Sequence, residues 1–225
     1  MKDIDKKALG GLFKILVILA LVLFISAGNI NYWQAWAFLI VFFISTLLIT
    51  LYLMKNDPKL LERRVNGGPA AEQEGSQKVI QTLASLAFIA VLVSPSLDHR
   101  FGWSSVPAYI SIAGEILIAL GFYFVFLVFK ENTYTSAIIE VSEGQTLIST
   151  GPYALVRHPM YSGALILLLG VPLALGSYWG LLTIVPFTFV LALRLLDEEK
   201  FLLKNLAGYA EYKQKVKYRL APFIW

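Results

Sequence analysis

The chain has 225 residues, 57% of them hydrophobic and only 15% charged, with a mean hydropathy of +0.67 and a net charge of +4. Soluble domains carry about 25% charged residues, so this composition excludes a water-soluble globular protein and marks an integral membrane protein. Cysteine is absent and there are two histidines, which rules out disulfides, thiolate nucleophiles and Cys-based metal sites and leaves no basis for a metal centre.

In chain order, apolar runs long enough for a helix across a bilayer fall at residues 12–30, 33–54, 79–97, 106–129, 161–176 and 178–196. The first follows a basic segment, as in a signal peptide, but no small-residue cleavage site follows and it reads as a retained span. The last two are short and joined by the tight "GSYWG", which predicts a helical hairpin. The reading is an all-α integral membrane protein of about six transmembrane helices. Of the 19 Lys and Arg residues, all but Arg100 fall on one side of this arrangement. The positive-inside rule then puts both termini in the cytoplasm. Juxtamembrane cations facing anionic lipid account for the positive net charge, so no nucleic-acid partner is implied.

The connections carry the remaining signals. Residues 55–78, with "NGGPAAEQEG", read as a flexible cytoplasmic loop. Residues 130–157 are too long and polar for a tight turn. Within them "QTLIST" reads as a short extended segment ended by "GP". "GPYALVRHPMYSG" follows, in which Pro159 suits a first helical turn and biases His158 toward an extended backbone. Arg157, His158 and Tyr161 would then sit at the cytoplasmic mouth of the hairpin. By residue types alone this stretch fits a Pro-kinked loop as well as a ligand-binding rim.

Arg194 and Glu198 share one helix face in "RLLDEEKFLL". A snorkelling arginine before a solvated acidic turn is one reading. Arg194 still lies within the apolar run, and so calls for a buried partner or an anionic ligand. The tail places Tyr209, Tyr212 and Val216 on one face with lysines between, predicting an interfacial amphipathic helix. Glu115 is a lone carboxylate inside the fourth span, read as a hydrogen-bonded structural acid with no assigned role.

From Lys130 to Trp225 these pieces, "GPYALVRHPMYSG", a short hairpin, "R…EE" and "Y..Y...V.YRL.PFIW", resemble the isoprenylcysteine carboxyl methyltransferase family and its phospholipid methyltransferase relatives. The resemblance implies two regions, residues 1–129 as N-terminal transmembrane helices and 130–225 as a cytoplasmic methyltransferase region. It implies S-adenosylmethionine as cofactor, S-adenosylhomocysteine as product, and a lipophilic or small-molecule methyl acceptor at the membrane lipid. Carried over by motif, the cofactor contacts are Gln145, Thr146, Leu147, Ile148, Tyr153, His158, Pro159, Met160, Tyr161 and Glu198, with Arg194 orienting the acceptor carboxylate. Where the family can carry a further glutamine contact, this chain has Ile138. A membrane reductase of the sterol type, using NADPH, shares an "RHP.Y" element and is the alternative enzyme. A non-enzymatic binder or transport subunit is the alternative outside enzymology.

Overall fold

The computed structural model describes residues 2–72 and 74–225. They form α1 (Asp3–Ala27), α2 (Trp33–Asn56), α3 (Pro58–Val65), α4 (Gly75–Phe101), α5 (Ala108–Glu131), α6 (Pro159–Ala174), α7 (Ile184–Asn205) and α8 (Tyr209–Lys215), with short 3-10 turns at Pro69–Ala71, Gly151–Ala154 and Trp179–Thr183. No strand occurs among the described residues. The "QTLIST" segment accordingly forms no strand.

Among the described residues five helices are long and apolar enough to cross a membrane: α1, α2, α4, α5, and α7 with its 3-10 lead from Trp179. The sixth, α6, has 16 residues and rises roughly 24 Å, short of the hydrocarbon thickness. The hairpin is therefore unequal, a stubby α6 beside a long final helix that continues to Asn205. Exposed Phe13, Ile25, Leu48, Leu86, Leu120, Val185 and Phe189 lie along the spans. In water such a surface would aggregate, and in lipid it is the solvated face. Leu23, Phe38, Val91, Ile118, Val171 and Leu175 close the interior, where polar atoms would go unpaired.

Helices α5 and α6 pack backbone to backbone. A Cβ on Gly121 would lie 2.7 Å from the Leu167 nitrogen, and one on Gly170 would lie 2.7 Å from the Gly114 carbonyl oxygen. Small residues make that approach possible in lipid, where dispersion and close packing replace the hydrophobic effect between helices. The seam matters for function because α6 begins at the histidine motif.

The connection at 55–78 differs from its expected flexible form. Asp57 caps α3, its side chain accepting from the Leu60 amide at 3.0 Å. Leu60 and Leu61 are buried against Leu53 and Phe129. Arg63 Nη1 donates to Thr133 O at 2.7 Å and Arg64 Nη1 to Ser136 O at 2.9 Å, tying this loop to the 132–137 segment. Paired charges and a small apolar cluster give the loop a fixed place that polar composition alone conceals.

Candidate active site

The 130–158 connection, the mouth of α6, the end of α7 and α8 meet at one end of the bundle and enclose a cavity of about 540 Å³. That is within the ordinary size range of small-molecule sites, roughly 300–1,000 Å³. It is bordered by all eleven residues singled out by motif: Gln145, Thr146, Leu147, Ile148, Tyr153, His158, Pro159, Met160, Tyr161, Arg194 and Glu198. Ile138 borders it too.

The helix start at Pro159 positions the histidine. His158 is the N-cap in a non-helical conformation (φ −125, ψ 62), and its backbone N–H donates to Arg219 O at 3.0 Å. The Arg157 N–H likewise donates to Tyr218 O at 2.9 Å. The His158 ring lies between two carboxylates, with Nδ1 4.0 Å from Glu198 and Nε2 3.4 Å from Glu199. Tyr161 Oη donates to Glu198 at 2.6 Å, one turn deeper.

Glu199 is a residue that motif matching passed over, and it gathers more of the site than Glu198. Its Oε1 meets Arg157 Nη2 at 2.7 Å and Nε at 2.8 Å, and its Oε2 meets Arg219 Nε at 3.2 Å. Arg157 Nη1 also donates to the Val216 and Lys217 carbonyls at 2.7 and 2.8 Å. One carboxylate thus fastens the histidine motif to the C-terminal segment. The only sequence signal was the paired "EE", which does not say which glutamate turns inward.

Arg194 finds its buried partner in the loop before α4. Its Nη2 lies 2.7 Å from Glu72 Oε1, and its Nη1 donates to Gln77 Oε1 at 3.1 Å. Glu72 is 2% exposed, and its other oxygen accepts from the Ile139 amide at 3.2 Å. Arg194 borders the cavity while Glu72 sits behind it, so the glutamate orients the guanidinium without filling the space.

The tail helix also departs from its expected setting. It ends at Lys215, and Tyr209 and Tyr212 are buried at 3% exposure instead of facing lipid. Tyr212 Oη donates to Tyr153 O at 2.7 Å. Burial pushes the phenols of Tyr153, Tyr209 and Tyr212 above their ordinary range, keeping all three protonated at neutral pH. Glu115 lies outside the cavity, and neither of its oxygens has a hydrogen-bond partner among the described residues, contrary to the hydrogen-bonded structural acid expected there. No group of three metal-ligating residues occurs among the described residues.

A family model described as phospholipid methyltransferase matches residues 109–208. A probable protein-S-isoprenylcysteine O-methyltransferase of Oryza sativa subsp. indica is 34% identical over 139 residues, 59% of this chain and 68% of the relative. The chain belongs to the isoprenylcysteine methyltransferase family. The counterpart from Oryza sativa subsp. japonica matches to the same extent. A solved eukaryotic intramembrane Ras methyltransferase, an isoprenylcysteine carboxyl methyltransferase, superposes with a TM-score of 0.53 over 100% of this chain and 99% of its own, at 18% identity. At that identity the likeness speaks for the fold. A delta(14)-sterol reductase of Mus musculus is 32% identical over 94 residues, but these make up 39% of this chain and 22% of the reductase. Family membership and the apolar helices make the protein a multi-pass integral membrane methyltransferase.

Proposed function

We propose that the protein transfers a methyl group from S-adenosylmethionine to the carboxylate of an isoprenylcysteine-like lipophilic acceptor, at the cytoplasmic face of its membrane. The observation that carries this reading is the meeting of all eleven motif residues on one cavity whose remaining wall includes apolar Phe88, Leu167, Leu168, Phe187 and Val190. The donor set suits the cofactor. One buried polar atom in the wall, Tyr209 Oη, makes no hydrogen bond among the described residues and is available to a polar ligand. The ring faces of Tyr153, Tyr161 and Tyr209 suit a cation, at about 0.5–2 kcal/mol each.

When bound, the cofactor supplies an electrophilic methyl on a sulfonium. The chain's part is alignment, because displacement in line depends on orientation more than on proton transfer. A carboxylate acceptor is ionised at neutral pH and needs no base. The protonated tyrosines of the wall act as donors and do not withdraw protons. Glu198, already accepting from Tyr161, has further acceptor capacity for an amine or a ribose hydroxyl. His158, steadied between Glu198 and Glu199, holds the cofactor and does not relay a proton. Arg194, fixed by Glu72 and Gln77, orients the acceptor. In this reading residues 130–225 carry the donor contacts, and residues 1–129 supply Gln81, Ala84 and Phe88 to the wall and Glu72 behind it. Both termini lie in the cytoplasm, on the side of the Lys and Arg residues.

Thermal titration of the detergent-solubilised chain with S-adenosylmethionine, S-adenosylhomocysteine and NADPH tests the proposal. Both adenosyl ligands should stabilise the wild type, and Glu198→Gln should weaken that response about tenfold or more. Stabilisation by NADPH alone would put the reductase reading in its place.

A further inference from the structure

Three guanidiniums border the cavity, those of Arg64, Arg157 and Arg194. Two are matched by carboxylates: Arg157 by Glu199 and Arg194 by Glu72, each at 2.7 Å. Arg64 is different. Among the described residues no carboxylate lies within ion-pair distance of it. Its Nη1 donates to Ser136 O at 2.9 Å, and its guanidinium carbon sits 5.3 Å from the Phe129 ring centroid. Those contacts hold the fork in place but carry no negative charge. Burial pulls the group below its ordinary pKa; the nearby Tyr161 hydroxyl opposes that pull, and the Arg194 charge adds to it. A cation in this position is stabilised most by an anion from outside the chain.

The surroundings narrow the kind of anion. Arg64 belongs to α3, whose Leu60, Leu61 and Val65 pack with Leu53, Phe129, Val125 and Met160 in one apolar cluster. A charged fork at the edge of hydrocarbon suits a ligand with an anionic head and a greasy body. The donor motif residues lie on the 145–161 segment and α7 instead. Arg194 has both terminal nitrogens engaged by Glu72 and Gln77.

We propose that Arg64 is the anion anchor for the acceptor, its guanidinium taking the carboxylate of the lipophilic substrate beside the pre-oriented Arg194. This rests on the proposed carboxyl methylation. It adds a substrate-binding residue from the N-terminal half, outside every motif that carries the family resemblance.

The test uses the full chain in detergent with an N-acetylated S-prenylcysteine, the methyl ester of that compound, and S-adenosylhomocysteine. Arg64→Gln keeps an amide donor for Ser136 O and removes the charge. It should raise the acceptor KM by about 10- to 100-fold, leave S-adenosylhomocysteine affinity unchanged, and abolish the wild type's tighter binding of acid over ester. Arg64→Lys, which keeps the charge without the fork, should fall between, and it decides the matter if Arg64→Gln does not fold. Loss of S-adenosylhomocysteine affinity with the acceptor KM unchanged would assign Arg64 to the donor's carboxylate and overturn the proposal, as would no change in either. Should wild-type protein bind the prenylcysteine without methylating it, the proposed activity fails by itself. The acid-against-ester comparison then still decides Arg64.

Discussion

Replacing Glu72 by alanine isolates the contact between the two halves of the chain. The side chain is 2% exposed, holds Arg194 Nη2 at 2.7 Å and receives the Ile139 amide at 3.2 Å. Alanine leaves a guanidinium that is 8% exposed without its counter-charge. Breaking a buried pair from one side costs about 3–5 kcal/mol, because the surviving charge stays out of water. For a chain of this size that corresponds to a fall in melting temperature of roughly 6–20 °C. Differential scanning fluorimetry in detergent measures it. The double variant Glu72→Ala/Arg194→Met removes the stranded charge as well, and should recover part of the loss. Glu72→Gln should lie between wild type and alanine. A melting temperature for Glu72→Ala within a degree or two of wild type, or a double variant no more stable than the single one, would refute a stabilising role for this pair.

The α5–α6 seam predicts that Gly121→Ala forces the helices apart. Its new Cβ would meet Leu167 at 2.7–2.9 Å where ordinary contact begins at 3.4 Å. Overpacking of this kind costs about 1–3 kcal/mol, and calorimetry should show weaker S-adenosylhomocysteine binding too, since α6 carries His158 at its start. Arg157→Gln should loosen residues 216–225 from the histidine motif, leaving only the backbone bonds and the Glu199–Arg219 contact, read as faster limited proteolysis of the tail and a melting loss comparable to that of Glu72→Ala. An unchanged digestion pattern would mean that the tail is held by something else.

The apolar helices were legible because lipid demands long uninterrupted runs, and the lopsided placement of basic residues orders them. The histidine motif was legible because Pro159 dictates both a helix start and the extended residue before it, as found at His158. The loop at 55–78 was not. Its composition is that of a mobile connection, and what immobilises it is pairing across great sequence distance, Glu72 with Arg194 being 122 residues apart. Glu198 and Glu199 were indistinguishable because neighbouring helix positions differ by about 100° of rotation, and the pattern offers no fixed zero for that angle. The tail tyrosines were given the right face but the wrong neighbour. Amphipathicity reports that a face is covered and does not report whether lipid or protein covers it.

Glu199 holds residues near 157 and near 219 to the last long helix, and this has a bearing on biosynthesis. A ribosome delivers the six apolar helices before the residues that close the pocket wall. Until residues 216–219 emerge, the histidine motif lacks its hydrogen bonds to the Val216, Lys217, Tyr218 and Arg219 carbonyls. The membrane-embedded body can therefore be inserted and packed while its catalytic end stays open. The cavity wall is finished last, by a clasp of residues from the C-terminal segment.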